Sequence, residues 1–414
     1  MIGGDNVHTY SGITPQEYYD AIRAGNPIHF EMYFSDQNVT ITEENININY
    51  GVVITDVING DNDLVVGKVV CKQLETRIIL NDDLRYIKWK DRFRVRFGVE
   101  INGSTKWVVI GYFNGVKPKN VQTATEMDYV AYDDVIKFEL PVNNFLEELD
   151  DDSLFPISTF DLVRKIGQYA GVSMSDIPYL GGSSAVADTE MTKANLKNFK
   201  TLREMLAAIA EASCTYAKMH NGVCCFEWYG DEQYNYGKPG YNDFPIIVRT
   251  DQFSNDHEDL YNGMTWDEFE YYRWNSAENL TWDFVTGSYA YTNALDTIYM
   301  EYNGSVADTW RRNTPHDDRT YSVIGNVFTK ETYIYPAITY ANKYLDRLYN
   351  FGGQLPMIVE CTGNWCIEAG DYVDVVIEHN EVIHMPVYMH TLYYNGGITS
   401  TLETTGEMFN KFDR

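Results

Sequence analysis

The chain has 414 residues, 44% of them apolar and 22% charged, so it is long and apolar enough to fold into roughly two to four domains. Acidic residues outnumber basic ones by 60 to 32, which gives a net charge of −28. This charge argues against stable nucleic-acid binding, because a phosphate-binding surface needs Lys and Arg. No apolar run approaches the ~20 residues of a membrane-spanning helix, and the opening MIGGDNVHTY lacks the basic start and apolar core of a signal peptide.

β-structure dominates the first third of the chain, after one short helix predicted in GITPQEYYDAIRAGNP. Runs rich in Val, Ile, Tyr and Phe are separated by Asn, Gly and Asp as far as residue 140. The predicted strands are IHFEMYF, NVTITEENI, YGVVITDVI, LVVGKVVCKQLETRIIL, FRVRFGVEI, KWVVIGYFNGV and MDYVAYDDVIKFEL. Many short strands at this spacing predict an antiparallel sandwich or a small barrel.

The pattern then changes to a small α+β module. The acidic run EELDDD indicates a solvated junction, and STFDLVRKIGQYAG predicts a helix that stops at Gly171. Thr201, with Glu204 three residues on, predicts the start of a second helix, and Asn221-Gly222 predicts the turn of a hairpin.

The rest of the chain is rich in aromatic residues and then returns to strands. Element boundaries are weak from 233 to 335, a helix is predicted at about 336–350, and Asn395-Gly396-Gly397 predicts a last hairpin. The predicted fold is therefore mainly β, multidomain, with an α+β insertion. Its domains are 1–150, a first β-barrel with a short N-terminal helix; 151–232, two helices and a hairpin; 233–335, a Tyr/Trp-rich β region; and 336–414, a helix plus closing β-barrel strands.

The adjacent acids Asp133 and Asp134 end the strand-like run ATEMDYVAYDD and are the first candidates for chemistry. Acid–base catalysis needs two carboxylates that converge on one point in different environments. Neighbouring residues of a strand point to opposite faces, so the pattern favours a structural corner over a catalytic pair.

A second candidate is MTWDEFEYYRW, residues 264–274. Glu268 and Glu270 would lie on one strand face about 7 Å apart, near the separation that glycosidases use, although glycosidase acids normally project from different elements. A polar-aromatic surface that binds a partner or a glycan is the favoured interpretation. Its residues are Trp266, Tyr271, Tyr272 and Trp274.

The remaining signals favour assembly over catalysis. The sequence has no GxSxG, HExxH, P-loop or GxGxxG motif, and its eight histidines form no metal pattern, so no catalytic, cofactor-binding or metal-binding residue is predicted. Tyrosine accounts for 33 residues, and this side chain is enriched where proteins contact proteins.

Several stretches, taken in order, carry a family resemblance. They are ITEENININYGVVITDVINGDNDLVVGKVVCKQLETRIIL, WVVIGYFNGVKPK, MDYVAYDDVIKFE, FPISTFDLVRKIGQYAGV, FKTLREMLAAIAEAS, KMHNGVCCFEW, IEAGDYVDVVI and MHTLYYNGGITSTLETTGE. This order, over residues 37–232 and 357–406, resembles the baseplate hub or tail-tip proteins of tailed bacteriophages, the amino-terminal hub region of the tail-associated lysin in siphophages.

The resemblance implies a virion protein of the tail tip, assembled in the cytoplasm of the bacterial host. It implies a homotrimer in which each chain contributes two small β-barrels that meet a sixfold tail tube. The implied partners are the tail tube, distal tail proteins and the tape-measure protein, which would precede DNA through the channel during genome ejection. The resemblance also implies structural corners at Asp133, Asp134, Gly370 and Asp371.

Two other functions stay open at this point. A carbohydrate-binding adhesin would use the aromatic residues of 228–300, and a glycan hydrolase would use Glu268 and Glu270. Neither explains the order of barrel, insertion and barrel. The sequence therefore predicts a structural hub that is not an enzyme.

Overall fold

The structure is a computed structural model of the chain. It describes residues 17, 20–22, 24–58, 66–116, 125–149, 154–178, 180, 186–220, 222–229, 248–249, 295, 297–302, 305–310, 320–330, 337–351, 358–365, 367–376 and 382–403. The short helix predicted near the start of the chain lies largely outside these residues.

Among the described residues, seven strands form before residue 134, in runs where β-branched and aromatic residues alternate with polar ones. They are β1 (Ile28–Phe34), β2 (Val39–Thr42), β3 (Val52–Val57), β4 (Gln73–Ile79), β5 (Arg92–Ile101), β6 (Ser104–Gly115) and β7 (Glu126–Asp133). The alternation appears directly as burial on β3, where every second residue is buried. These strands therefore have one face in the core and one facing outward.

The middle of the chain forms the predicted helix–helix–hairpin arrangement. Its elements are α1 (Val142–Glu148), β8 (Ile157–Ser158), α2 (Thr159–Ala170), β9 (Ser173–Met174), β10 (Glu190–Met191), α3 (Lys193–Leu196), α4 (Leu202–Ala212), β11 (Tyr216–His220) and β12 (Val223–Glu227). The Ser158 side chain caps the start of α2, and Gly171, at φ 66°, ends it. Strands β11 and β12 pair antiparallel, as predicted from Asn221-Gly222.

The Thr201 hydroxyl accepts a hydrogen bond from the backbone N–H of Glu204, so it caps α4 as predicted. The Glu204 carboxylate reaches the backbone N–H of Lys200, 2.7 Å away, one residue before the position that a capping box uses.

The last part of the chain adds two helices and nine strands among the described residues. They are β13 (Val248–Arg249), β14 (Thr297–Tyr302), β15 (Ser305–Trp310), β16 (Thr320–Val323), α5 (Val327–Lys330), α6 (Ala337–Phe351), β17 (Ile358–Thr362), β18 (Tyr372–Val376), β19 (Val382–Pro386), β20 (Met389–Tyr394) and β21 (Ile398–Glu403). Helix α6 confirms the predicted helix, and its buried residues are Tyr340, Ala341, Tyr344, Leu345 and Leu348.

One ten-stranded antiparallel sheet joins the two ends of the chain, in the order β17-β21-β20-β3-β4-β7-β6-β5-β1-β2. The junction is β20 against β3, with Leu392 opposite Ile54. The prediction of a mainly β fold is confirmed for the fold class. The predicted pair of small barrels is not found: within the described residues the two ends of the order, β17 and β2, do not pair, so the sheet is open. The domain boundaries stay predictions.

An aromatic core lies on one face of this sheet. Phe97 of β5 stacks on Trp365, with ring centroids 5.7 Å apart and planes 1° apart, and Phe97 also contacts Tyr394 at 5.5 Å. Phe30 contacts both Phe97 and Tyr394. We call residues 358–403 the closing segment and β1–β7 the opening strands. The closing segment supplies side chains that complete the core of the opening strands, and burial of large aromatic surface stabilises this junction.

A second core lies between the α+β module and the rest of the chain. The inward faces of α2, α4 and α6 meet the β11–β12 hairpin there. Helix α6 is tied to the end of α4 because the Tyr344 hydroxyl donates to the Glu211 carbonyl at 2.8 Å, and Arg347 donates to the Cys214 carbonyl at 3.0 Å. No helix within the described ranges is long and apolar enough to cross a membrane.

Candidate functional site

The carboxylate of Asp133 ends β7 and caps the 3-10 helix Asp134–Glu139 that follows. It accepts backbone hydrogen bonds from Val135 at 3.0 Å and from Lys72 at 3.1 Å. It also accepts a hydrogen bond from the Cys71 thiol at 3.3 Å. Burial raises the pKa of Asp133 to about 7, in spite of these donors. The residue thus joins the end of β7 to the start of β4.

Asp134 has a different environment from its neighbour. It accepts a two-pronged bond from Arg92, with the closer nitrogen at 2.7 Å, and further bonds from Lys137 at 2.8 Å and Asn114 at 2.9 Å. Burial opposes ionisation, yet the bonds from Arg92 and Lys137 hold the pKa of this carboxyl below its usual value. Asp134 is therefore held by side chains, whereas Asp133 accepts from two backbone N–H groups.

The two carboxylates therefore do not meet at a common point. Asp133 faces β4 and the backbone, and Asp134 faces cations of β5 and the 3-10 helix. This arrangement supports a strand end and offers no shared position for a proton transfer between the acids.

Gly370 and Asp371 form a second turn, just before β18. The Asp371 carboxylate accepts the backbone N–H of Glu368 at 2.8 Å, and the Gly370 N–H donates to the Val387 carbonyl at 2.7 Å. Gly370 has a φ of 102°, and a Cβ there would collide with the hydroxyl of Tyr216. Only glycine fits this close approach between the closing segment and the β11–β12 hairpin.

A buried group of charges, which we call the junction network, lies beside this turn. Its members are Asp56 of β3, Lys72 before β4, Lys218 and His220 of β11, and Glu368. Glu368 is at its centre, with its two oxygens 2.6 Å from the Lys72 amine and 3.0 Å from the Lys218 amine.

The junction network has two carboxylates and two ammonium groups in a nearly dry environment. Asp56 is 3.8 Å from the Lys72 amine and accepts the backbone N–H of Ala369 at 3.2 Å, and Lys218 donates to the Ala369 carbonyl at 2.9 Å. Burial raises the pKa of Asp56 against the opposing effect of Lys72, and the carboxylates of Glu368 and Asp56 raise the pKa of Lys72 although its burial acts the other way.

The junction network joins three parts of the chain that are far apart in sequence: the opening strands, the α+β module and the closing segment. Breaking such a buried pair leaves an uncompensated charge, so the network favours the relative position of the three parts in which its charges are paired. Sequence reasoning missed it. The local signals were weak: Asp56 is a single charge in the run VVITDVI, and Lys218 is one in the strand YAKMH.

Within the residues that the structure describes, no group of three or more His, Cys, Asp and Glu side chains is placed to hold a metal ion. The candidate aromatic surface and the hydrolase acids lie outside those residues, and both interpretations stay predictions. They are Trp266, Tyr271, Tyr272 and Trp274, with Glu268 and Glu270.

No protein-family model and no curated protein sequence matches the chain. Among solved structures, it is similar to the 43 kDa tail protein of prophage MuSo2 from Shewanella oneidensis, with 9% identity, a TM-score of 0.45, and coverage of 91% of this chain and 98% of the other. It is also similar to prophage tail protein gp18 from Listeria monocytogenes EGD-e, with 10% identity, a TM-score of 0.44, and coverage of 93% and 96%. Identity this low carries no function from those chains to this one.

Proposed function

We propose that the chain is a structural protein of a bacteriophage tail tip: a trimeric hub that closes the tail tube, anchors neighbouring tail proteins and forms the channel for the tape-measure protein and DNA. The sequence order that resembles the hub family supports this assignment. It covers residues 37–232 and 357–406.

The observation that carries the proposal is the division of one sheet between the two ends of the chain. Strand β3 pairs with β20, and the α+β module lies between them in sequence. A hub needs such a rigid body, because it must hold its position while other molecules pass. The aromatic core and the junction network both tie the closing segment to the opening strands.

The charge of the chain supports the same proposal. A net charge of −28 favours a surface along which DNA passes without adhering, because like charges repel. The two acids at the end of β7 have structural partners, which supports a role without a catalytic step.

The first test is the mass of the purified chain by light scattering coupled to size exclusion. The hub predicts three times the chain mass of 47.7 kDa, and electron microscopy of that species should show a ring with a central channel. A monomer that also fails to bind isolated tail tubes would contradict the proposal.

An adhesin and a hydrolase are the alternatives that the same preparation can test. Binding of the monomer to a glycan array would favour the adhesin. Turnover of a polysaccharide that disappears in Glu268→Gln would favour the hydrolase. A trimer with neither property supports the hub.

A further inference from the structure

Strand β5 presents a row of three arginines on the outer face of the large sheet. Phe93, Val95 and Phe97 are buried in the aromatic core, and the residues that alternate with them point the other way. These outward residues are Arg92, Arg94 and Arg96, which we call the arginine row.

Each guanidinium of the row lies over an aromatic ring of a neighbouring strand. Arg92 lies 4.0 Å from the ring centre of Tyr112, Arg94 5.5 Å from that of Tyr33, and Arg96 4.2 Å from that of Trp107. Such stacking holds the side chains in place before any ligand arrives, so less rotamer freedom is lost on binding.

The outer two arginines already have carboxylate partners. Arg92 binds Asp134 with its closer nitrogen at 2.7 Å, and Arg96 binds Glu31 at 2.6 Å. Among the acids of the described residues, Arg94, between them, approaches Glu31 alone, at 3.8 Å, which is too far for a hydrogen bond. Its Nε, like that of Arg96, is buried without a hydrogen-bond partner in the described part of the chain.

The central arginine is therefore oriented and partly exposed, with 26% of its side chain accessible, and unlike Arg92 and Arg96 it makes no hydrogen bond to a carboxylate of the described residues. The ligand that suits a planar guanidinium is a carboxylate, which it can bind through two parallel hydrogen bonds. Arg, Tyr and Trp are also the residue types that contribute most to protein–protein interfaces.

We propose that the arginine row binds an acidic surface of a second copy of this chain. Acids outnumber bases by 60 to 32, so a second copy carries a large excess of carboxylates, and the row is complementary to them in charge. The inference rests on the proposed trimer and names the surface through which the trimer forms.

The proposed trimer fixes the type of contact. A twofold dimer pairs the same patch of both copies and leaves no site for a third chain, whereas a trimer needs the row of one copy to meet a different surface of the next. Such a head-to-tail contact generates a ring when the rotation closes.

The test compares Arg94→Gln with a matched control, Arg164→Gln. Arg164 likewise lies over an aromatic ring, at 3.9 Å from that of Phe160, and pairs with an acid, Asp176, at 3.4 Å, but it belongs to the α+β module. Light scattering over a concentration series measures the trimer dissociation constant of each variant. We expect Arg94→Gln to raise that constant by roughly tenfold or more, Arg94→Lys to raise it less, and Arg164→Gln to leave it unchanged.

A second measurement needs no variant. Hydroxyl-radical footprinting of the wild-type chain should show the rings of Trp107 and Tyr112 less reactive at concentrations that form the trimer than at those that give the monomer. Equal reactivity would overturn the inference, and so would a monomer at every concentration.

The outcomes separate this inference from the proposed hub. If the wild-type chain forms a trimer and the Arg94→Gln chain forms it equally well, the proposed hub stands. The arginine row is then not the surface through which the trimer forms. Binding of a DNA duplex that Arg94→Gln abolishes, with no change in the mass of the protein, would assign the row to phosphates and would also overturn it.

Discussion

The Lys72 amine lies 2.6 Å from a carboxylate oxygen of Glu368, and the two residues are 296 positions apart. Lys72 is 8% exposed and Glu368 is 1% exposed, so this pair is enclosed by protein. An interaction of this kind does little for stability compared with an apolar pair of the same shape, but losing one partner is expensive. The contact therefore determines how the closing segment fits onto the opening strands.

The pair can be tested with a double-mutant cycle. We expect Lys72→Met and Glu368→Met each to lower the free energy of unfolding by about 3–5 kcal/mol, because each leaves the buried network with one uncompensated charge. The double variant leaves Asp56 and Lys218, one charge of each sign, so its loss should be smaller than the sum of the single losses. Chemical denaturation followed by circular dichroism measures all three values.

A partly exposed ion pair provides the control for this cycle. Lys330 lies 3.6 Å from Glu301, and the two side chains are 48% and 19% accessible. Lys330→Met should change stability by less than about 1 kcal/mol, because the remaining carboxylate contacts water and keeps a hydrogen bond from the Gly325 N–H at 2.8 Å. Similar losses in Lys72→Met and Lys330→Met would contradict the role given to the junction network.

Gly370 offers a test of the second turn. We expect Gly370→Ala to destabilise the chain by more than the roughly 1–3 kcal/mol of backbone strain, because its Cβ also collides with Tyr216. Gly103 is the matched control, since its φ is also positive, at 75°, but no atom lies near a Cβ there. Gly103→Ala should therefore show the strain alone, about 1–2 kcal/mol, by thermal or chemical unfolding. Equal losses in the two variants would show that the close approach to Tyr216 is unimportant.

Local elements could be predicted from the sequence because their signals are contained in a few neighbouring residues. Helix α2 begins after Ser158 and ends at Gly171, where only a residue tolerant of positive φ fits easily. The capping hydroxyl of Thr201 placed α4 in the same way. Each signal acts within one turn of helix, so no knowledge of the rest of the fold was needed.

The arrangement of the sheet could not be predicted in this way. Leu392 lies opposite Ile54, and nothing near either residue specifies a partner more than 300 positions away. The alternation of apolar residues shows which face is buried but does not show which strand lies beside it. The open sheet in place of two barrels follows from such long-range pairing.

Asp133 and Asp134 show, within one motif, the same limit on what local sequence can predict. In the structure the two side chains face different neighbours at the end of β7. Asp133 finds its donors in the backbone nearby and at Lys72, whereas Asp134 depends on Arg92, from another strand. A hydrogen-bond donor that comes from a distant part of the chain cannot be predicted from the residues next to the acceptor.

His29 gives a prediction on protonation. Its ring lies 2.7 Å from a carboxylate oxygen of Glu43 and 3.1 Å from one of Glu100. The hydrogen bond to Glu43 raises the pKa of His29 above 6.5. Burial lowers this pKa in part, and the hydrogen bond to Glu100 raises it further. Since the folded-state pKa is the higher one, the stabilisation is complete below pH 6.5 and is lost as the pH rises through the folded-state pKa.

Nuclear magnetic resonance of the imidazole measures this pKa directly. We expect a value above 6.5 in the wild-type chain and a lower one in Glu43→Gln, which removes the larger of the two acidic contributions. Glu100→Gln should lower it less. A wild-type pKa at or below 6.5 would contradict the proposed charge pair.

Asp133 and Asp134 should affect the pH dependence of stability in opposite directions. Burial raises the pKa of Asp133 from 3.8 to about 7 in the folded chain, so the folded state holds a proton that the unfolded state releases. Stability from this residue therefore falls as the pH rises from about 4 to about 7, by up to a few kcal/mol at ~1.4 kcal/mol per pKa unit. The pKa of Asp134 is lowered below 3.8, so its stabilisation is present above that pH and is lost as the pH falls through the folded-state value.

Denaturation of the wild-type chain, Asp133→Asn and Asp134→Asn between about pH 3 and pH 8 measures both effects. The stability of the wild type relative to Asp133→Asn should decrease with rising pH across the middle of that range. Relative to Asp134→Asn, it should increase with pH at the acidic end and then stay constant. Because the residues are adjacent, each variant serves as the control for the other, and parallel pH profiles for the two would contradict the separate environments that the structure gives them.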